Sequence, residues 1–308
     1  MIIYILLCLI LAVILGGGLY AYRISFYSPK KGREDKKPIT NPNYDPYRPE
    51  MRRIFQAIQE RPCEYVSIQS HDGLKLSGRY YHVKDGAPLD IGFHGYRSSA
   101  YVDFAGGAEL SQKMGHNLLL VDQRAHGKSQ GRTITFGIKE RLDLLKWVEY
   151  AVDRFGNDVK ITLYGVSMGG ATVLMASNLP LPENVKGIVA DCPYVNVMDI
   201  IRHVAKTMPI PAWLIKPFVI VGARIYGGFD VNEISATEAL KETKIPVLIF
   251  HGDADTLVPC AMSDEAVNAN PNMVTKYTIS GAEHGISYLV DTKTYHNAVQ
   301  TFAQRILN

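Results

Sequence analysis

The chain has 308 residues, 47% of them apolar and 20% charged, and a formal net charge of +3. This composition is that of ordinary globular protein, excludes a wholly disordered chain, and allows one large domain or two small ones. Four scattered cysteines (Cys8, Cys63, Cys192, Cys260), none in a C-x-x-C pair, argue against a disulfide framework or a structural zinc site.

Charge is spread unevenly. Residues 1–22 carry no Asp, Glu, Lys or Arg, whereas residues 23–53 carry nine Lys/Arg against four acids. The rest is close to neutral. A nucleic-acid binder would carry its basic excess on the folded body, so nucleic acid is not an expected partner. Here the excess adjoins an apolar segment, where it would meet anionic lipid.

Residues 1–22 read MIIYILLCLILAVILGGGLYAY. As a helix they reach roughly 33 Å, enough for the ~30 Å hydrocarbon core. Tyr4, Tyr20 and Tyr22 stand near the ends, where amphipathic rings are favoured. A cleaved signal peptide is the rival reading, but it expects a basic start and a small-residue cleavage site that this segment lacks. The expectation is a single-pass anchor in the cell membrane. Six Lys/Arg follow it between positions 23 and 37 and none precedes it, so the positive-inside rule points the body to the cytoplasm, with an extracytoplasmic body as the alternative. Residues 23–50 are basic and rich in proline, which forbids a continuous helix. They are expected to form an extended tether, with a short helix near 50–60 opening the body.

From residue 51 to 308 strands alternate with helices. Strands are predicted at 64–70, 74–83, 89–94, 116–122, 160–166, 185–191, 245–251 and 275–280. The second alternates in polarity after a His71-Asp72-Gly73 turn, so the first two should form an antiparallel hairpin. The later runs (DIGF, NLLLV, ITLYG, GIVA, PVLIF) are continuously apolar, as in parallel strands buried on both faces. Helices are predicted at 104–114, 138–155, 169–178, 264–270 and 295–307. The pattern defines an α/β class: a mostly parallel eight-stranded sheet with an antiparallel start and helices on both faces. Residues 194–244 are too long for a simple crossover and are expected to form a small helical cap insertion.

Residues 160–170 read KITLYGVSMGG, a strand running through G-x-S-x-G into a helix. This context identifies a nucleophile elbow, with Ser167 at the turn and Met168 N–H aimed at the same point. A serine hydroxyl needs a base, and on this kind of sheet the chain order is Ser, acid, His. Residues 250–259, FHGDADTLVP, follow the seventh strand, and residues 280–285, SGAEHG, follow the eighth. Ser167 would attack, His284 would take its proton, and Asp255 would orient the ring. Asp253 is the runner-up acid and Asp191 a further alternative.

Together FHGYRSS, VDQRAHGKSQG, GVSMGG, HGDADTLVP and GAEHG, spanning about residues 64–307, resemble the alpha/beta-hydrolase superfamily. They are most similar to its bacterial membrane-anchored esterase and serine-aminopeptidase-like members. The resemblance implies Asp255 as the acid and Tyr96 N–H as the second oxyanion donor beside Met168. The HGGG pattern of lipases is absent, so their substrate preferences do not carry over.

His94 and His251 precede glycines at strand ends and lack the company of a metal site, so no metal is expected. No phosphate-binding loop occurs, so no cofactor is expected. Asp122, Arg124 and His126 form a D-x-R-x-H-G turn assigned to buttressing the elbow, and Cys192 and Cys260 are read as packing residues. Met208 and Trp213 in the cap are candidate substrate-binding residues. The expected function is a membrane-anchored serine hydrolase cleaving carboxylic esters or thioesters, its partner a small or lipid-like ester. An amidase or aminopeptidase with the same three residues is the alternative, and a non-catalytic lipid- or protein-binding scaffold is the reading from another class.

Overall fold

The computed structural model describes residues 1–29, 42–206 and 212–307. Eight strands form one sheet: β1 (Glu64–Gln69), β2 (Lys75–Tyr81), β3 (Leu89–Phe93), β4 (Asn117–Asp122), β5 (Ile161–Val166), β6 (Val185–Asp191), β7 (Val247–Gly252) and β8 (Val274–Ile279). Their order across the sheet is β1-β2-β4-β3-β5-β6-β7-β8. β2 pairs antiparallel with both β1 and β4, and every other pairing is parallel. This is the expected mixed sheet with an antiparallel start.

The continuous apolar runs are the central strands. Every residue of β3, β4 and β7 is buried, and successive side chains enter opposite layers. Val247 and Ile249 join the larger core cluster, whereas Leu248 and Phe250 join a second one. The edge strands β1 and β8 are much less covered, with Val66, Val274 and Ile279 their buried residues, and the charges they carry, Glu64 and Lys276 among them, blunt edge pairing.

The helices are α1 (Ile2–Ser25), α2 (Arg48–Glu60), α3 (Ala100–Asp103), α4 (Ala105–Lys113), α5 (Glu140–Phe155), α6 (Met168–Met175), α7 (Val197–Ala205), α8 (Ala212–Val221), α9 (Ala236–Glu242), α10 (Ala261–Ala269), α11 (Ser287–Val290) and α12 (Thr292–Leu307). α5, α6, α9 and α10 cover one face of the sheet and supply the larger cluster, in which Trp147 and Leu174 are fully buried. α4 and α12 cover the other face through Leu110, Val299 and Phe302.

Two expectations change. The basic proline-rich stretch is no free tether over its described parts. Phe26 is fully buried, with its ring edge-on to Phe136 and Phe229, and Tyr27 bridges to Thr133. Further on, residues 42–47 form a tight 3-10 turn with Tyr44 buried, and α2 follows at once. Residues 30–41 lie outside the described residues. The second change concerns 194–244. Its helices α7 and α8 do not roof a cavity. α8 packs instead on the C-terminal half of α1, at a crossing so close that a side chain at Gly18 or Gly222 would collide with the opposite helix.

Candidate active site

β5 ends in the G-x-S-x-G turn, and the turn is compact because its glycines have no side chains. A Cβ on Gly165 would lie 2.2 Å from Gly169 O, and one on Gly169 would lie 1.7 Å from Phe93 O. The chain reverses so sharply that Ser167 takes φ 55° and ψ −114°, a conformation few side chains tolerate. Ser167 N–H donates to Asp191 O at 2.8 Å, which pins the turn to the end of β6.

The loops after β7 and β8 bring two more side chains to this point. Ser167 Oγ lies 2.9 Å from His284 Nε2, and His284 Nδ1 lies 2.7 Å from Asp255 Oδ2. A proton on Nδ1 satisfies both contacts, leaving Nε2 to accept from the serine hydroxyl. The three residues singled out in the sequence thus meet at the carboxyl ends of the parallel strands.

Asp255 is held from every side. Its Oδ1 accepts from Leu257 N–H at 2.9 Å and Val258 N–H at 2.8 Å. Burial pushes its pKa up, but hydrogen bonds from His251 and His284 outweigh burial and hold the carboxylate well below its usual range. His251 is itself fully buried: Nε2 donates to Val258 O at 2.9 Å, and Nδ1 accepts from Ser263 Oγ at 2.6 Å. It braces the loop that carries Asp255. The runner-up Asp253 is elsewhere, accepting from Gly281 N–H at 2.7 Å. Asp191 accepts from Ser287 Oγ at 2.9 Å; burial raises its pKa to about 6. Cys192 Sγ lies 3.9 Å from His284 Nε2, and burial pushes that thiol up, so it stays protonated packing.

Opposite Ser167 runs the loop after β3. Tyr96 and Met168 N–H donate to no backbone acceptor among the described residues. The Tyr96 side chain turns away from Ser167: its hydroxyl donates to Ser25 O at 2.8 Å, and its ring packs on Phe136. Arg97, with φ 51°, donates its guanidinium to Ile24 O at 2.8 Å and Tyr27 O at 3.1 Å. The end of α1 therefore grips the loop.

Further supports were not visible as motifs. Asp103 accepts from Gly95 N–H at 2.6 Å and from Ser98 Oγ at 2.5 Å, fixing the same loop. Tyr44 hydroxyl donates to His284 O at 2.8 Å, and Asn43 to Glu283 at 2.8 Å. The D-x-R-x-H-G turn is structural, but it steadies the 94–97 loop as much as the elbow. His126 Nε2 accepts from Arg97 N–H at 2.9 Å, Gln123 side-chain N–H donates to His94 O, and Asp122 and Arg124 are tied into buried ion pairs with Arg79 and Asp143.

Ser167 and His284 open into a cavity of about 300 Å³. Met51, Ile54 and Phe55 of α2 form one wall, and Phe104, Tyr288 and Leu289 line others. No described residue of 194–244 lines it. Trp213 is 74% exposed and stands outside it, contrary to its expected place against substrate; Met208 lies outside the described residues. The cap's apolar content signalled burial against something but did not say against what.

This sheet, with the G-x-S-x-G turn at its carboxyl edge, defines an alpha/beta hydrolase, and residues 91–214 match the sequence profile of the alpha/beta hydrolase fold. The chain has the alpha/beta-hydrolase fold. Its structure is similar to that of the Pyrococcus furiosus esterase Pf2001, with a TM-score of 0.66 and 27% identity over 82% of this chain and 95% of that one. It is 25% identical over 300 residues to Bacillus subtilis YqkD, an uncharacterized protein, covering 96% of this chain and 94% of that one. A shorter match, 31% over 140 residues and under half of each chain, is to the thiohydrolase aneE of Aspergillus aculeatus. The esterase-like neighbours support a hydrolase activity.

Proposed function

We propose that the protein is a membrane-anchored serine hydrolase that cleaves carboxylic esters or thioesters through an acyl-enzyme. One observation carries the reading: Ser167 Oγ, the His284 ring and the Asp255 carboxylate stand in line at 2.9 and 2.7 Å. Ser167 Oγ attacks the acyl carbon as its proton passes to His284 Nε2. The imidazolium is oriented by Asp255, which stays ionised because its hydrogen bonds outweigh its burial. The oxyanion is received by Tyr96 and Met168 N–H, each worth roughly 3 kcal/mol of transition-state stabilisation. His284 then protonates the departing alcohol or thiol. Water repeats the path to release the acid.

The cavity supports an apolar substrate group. Its walls at Ile54, Phe55, Phe104 and Leu289 are apolar, which suits an acyl or alkyl group. An aminopeptidase would need a free acidic patch to read an amine. Four of the five acids of 194–244 are engaged elsewhere: Asp199 with Arg202, Asp230 with Arg224, Glu233 with Arg141, and Glu238 in the cap of α9. None lines the cavity, so the amidase alternative gains no support from them.

The apolar α1, followed by the basic flank, supports the anchor and a cytoplasmic-facing body. Ser167→Ala in the full chain is expected to abolish p-nitrophenyl ester turnover and labelling by a fluorophosphonate probe. Undiminished turnover by that variant would overturn the reading.

A further inference from the structure

We infer that helix α8 is a second membrane-inserted element, lying beside α1 in the bilayer with its Trp213 and Leu214 side chains in lipid. The inference rests on the proposal that α1 spans the membrane.

The register of the two helices comes first. Gly17 meets Phe218, Gly18 meets Val221 and Gly222, the rings of Tyr22 and Tyr226 stand 6.2 Å apart, and those of Phe26 and Phe229 stand 5.1 Å apart. Both numbers rise together along this series, so the segments run in the same direction. Trp213 precedes Phe218 by five residues, or ~7 Å of helix. It therefore lies toward the N-terminal part of α1, away from the body.

Length comes second. The part of α1 that is exposed without interruption runs over residues 2–14. At ~1.5 Å per residue it reaches roughly 20 Å, well short of the ~30 Å hydrocarbon core. A spanning α1 must use residues 15–22 as well, and these are the residues α8 packs against. Wherever the bilayer covers that part of α1, it reaches α8.

The surface of α8 agrees. Trp213 is 74% exposed and Leu214 40% exposed, bare apolar side chains like those along α1. The catalytic cavity does not use them. The one charged residue of α8 is Lys216, whose long stem lets an ammonium reach the headgroups. The close glycine crossing at Gly18 and Gly222 is the packing by which helices associate where lipid offers no hydrophobic drive. Trp213, with an apolar ring and one N–H donor, suits the boundary layer.

The chain carries its own probe. Of its two tryptophans, Trp147 is 1% exposed within the core and Trp213 is the exposed one. Full-length protein is reconstituted into phosphatidylcholine–phosphatidylglycerol vesicles with and without bromine on the acyl chains. The Trp213 emission is read as the difference between wild type and Trp213→Phe, a change at an exposed position. We expect bromolipid to lower that difference at least twofold while aqueous iodide leaves it nearly unchanged. Quenching by iodide and not by bromolipid would put Trp213 in water. Shielding from both would put a second copy of the chain over it. Either result overturns the inference. Vesicle flotation of the same samples separates the two levels of the argument: flotation with Trp213 unquenched by lipid removes only α8 from the membrane, whereas failure to float removes α1 and α8 together. Ester turnover enters neither measurement.

Discussion

Ser167 sits at φ 55° with its hydroxyl 2.9 Å from His284, and the surrounding side chains explain why that strain is held. Asp255 receives two backbone N–H bonds besides the His284 contact. Asp255→Asn should keep the fold but favour the wrong histidine tautomer, lowering kcat roughly 10⁴-fold with little change in KM. Asp253→Asn, which can still accept from Gly281 N–H, should stay within a few fold of wild type. Steady-state ester kinetics on both variants decides between the two acids. Asp191 offers a pH test. Burial raises its pKa to about 6, above the ~3.9 of an unfolded chain. A carboxyl with a higher folded than unfolded pKa binds its proton more tightly when folded, so its ionisation above pH 6 costs stability and the cost fades toward pH 4. Asp191→Asn, still able to accept from Ser287, should raise the thermal midpoint at pH 8 by the equivalent of about 3 kcal/mol. That gain should shrink as the pH falls through 6 and vanish below about pH 4 in melts followed by circular dichroism. At this scale the sequence was informative where a motif spaced the residues, as with Ser167, Asp255 and His284. It was silent on Asp103, Tyr44 and His126-to-Arg97. Those bonds join segments by tertiary approach, and no local pattern records such an approach.

The end of α1 is an element with two duties. Its carbonyls at Ile24, Ser25 and Tyr27 accept from Arg97 and Tyr96 in the loop facing Ser167. Phe26 beside them is fully buried. Phe26→Ala should cost about 3–5 kcal/mol of stability, read as a lowered denaturation midpoint in detergent. Arg97→Gln removes charged hydrogen bonds to those carbonyls, each worth about 1.5–3 kcal/mol. If part of that holds Tyr96 N–H in place, kcat should fall roughly tenfold with KM less affected, whereas a merely structural role would leave kcat of the folded fraction unchanged. The strands and the large helices were legible because their periods and lengths reflect burial on one face or two. The described ends of the tether and the neighbour of α8 differ from expectation for a common reason. Proline content at 42–49 reports only that a long helix is impossible, and Tyr44 and Asn43 find partners on the His284 loop. Apolar content at 213–221 reports that something covers it, and the neighbour turned out to be α1 rather than a substrate.

Across the whole molecule one arrangement recurs: the apolar helix is built into the hydrolase body and not hung from it. Tyr96 and Arg97 belong both to the rim of the cavity and to the seat of α1, so on the proposed anchor one loop would separate the bilayer from Ser167. A chain built this way is suited to esters that arrive from the membrane surface. That reading depends on Ser167 being the group that carries the acyl chain. The most direct measurement is peptide mapping by mass spectrometry after brief reaction of the full-length protein with a fluorophosphonate. The account predicts one stoichiometric adduct on Ser167, strongly slowed in His284→Ala. An adduct on another residue, or no adduct from folded protein that still turns over ester, would contradict it.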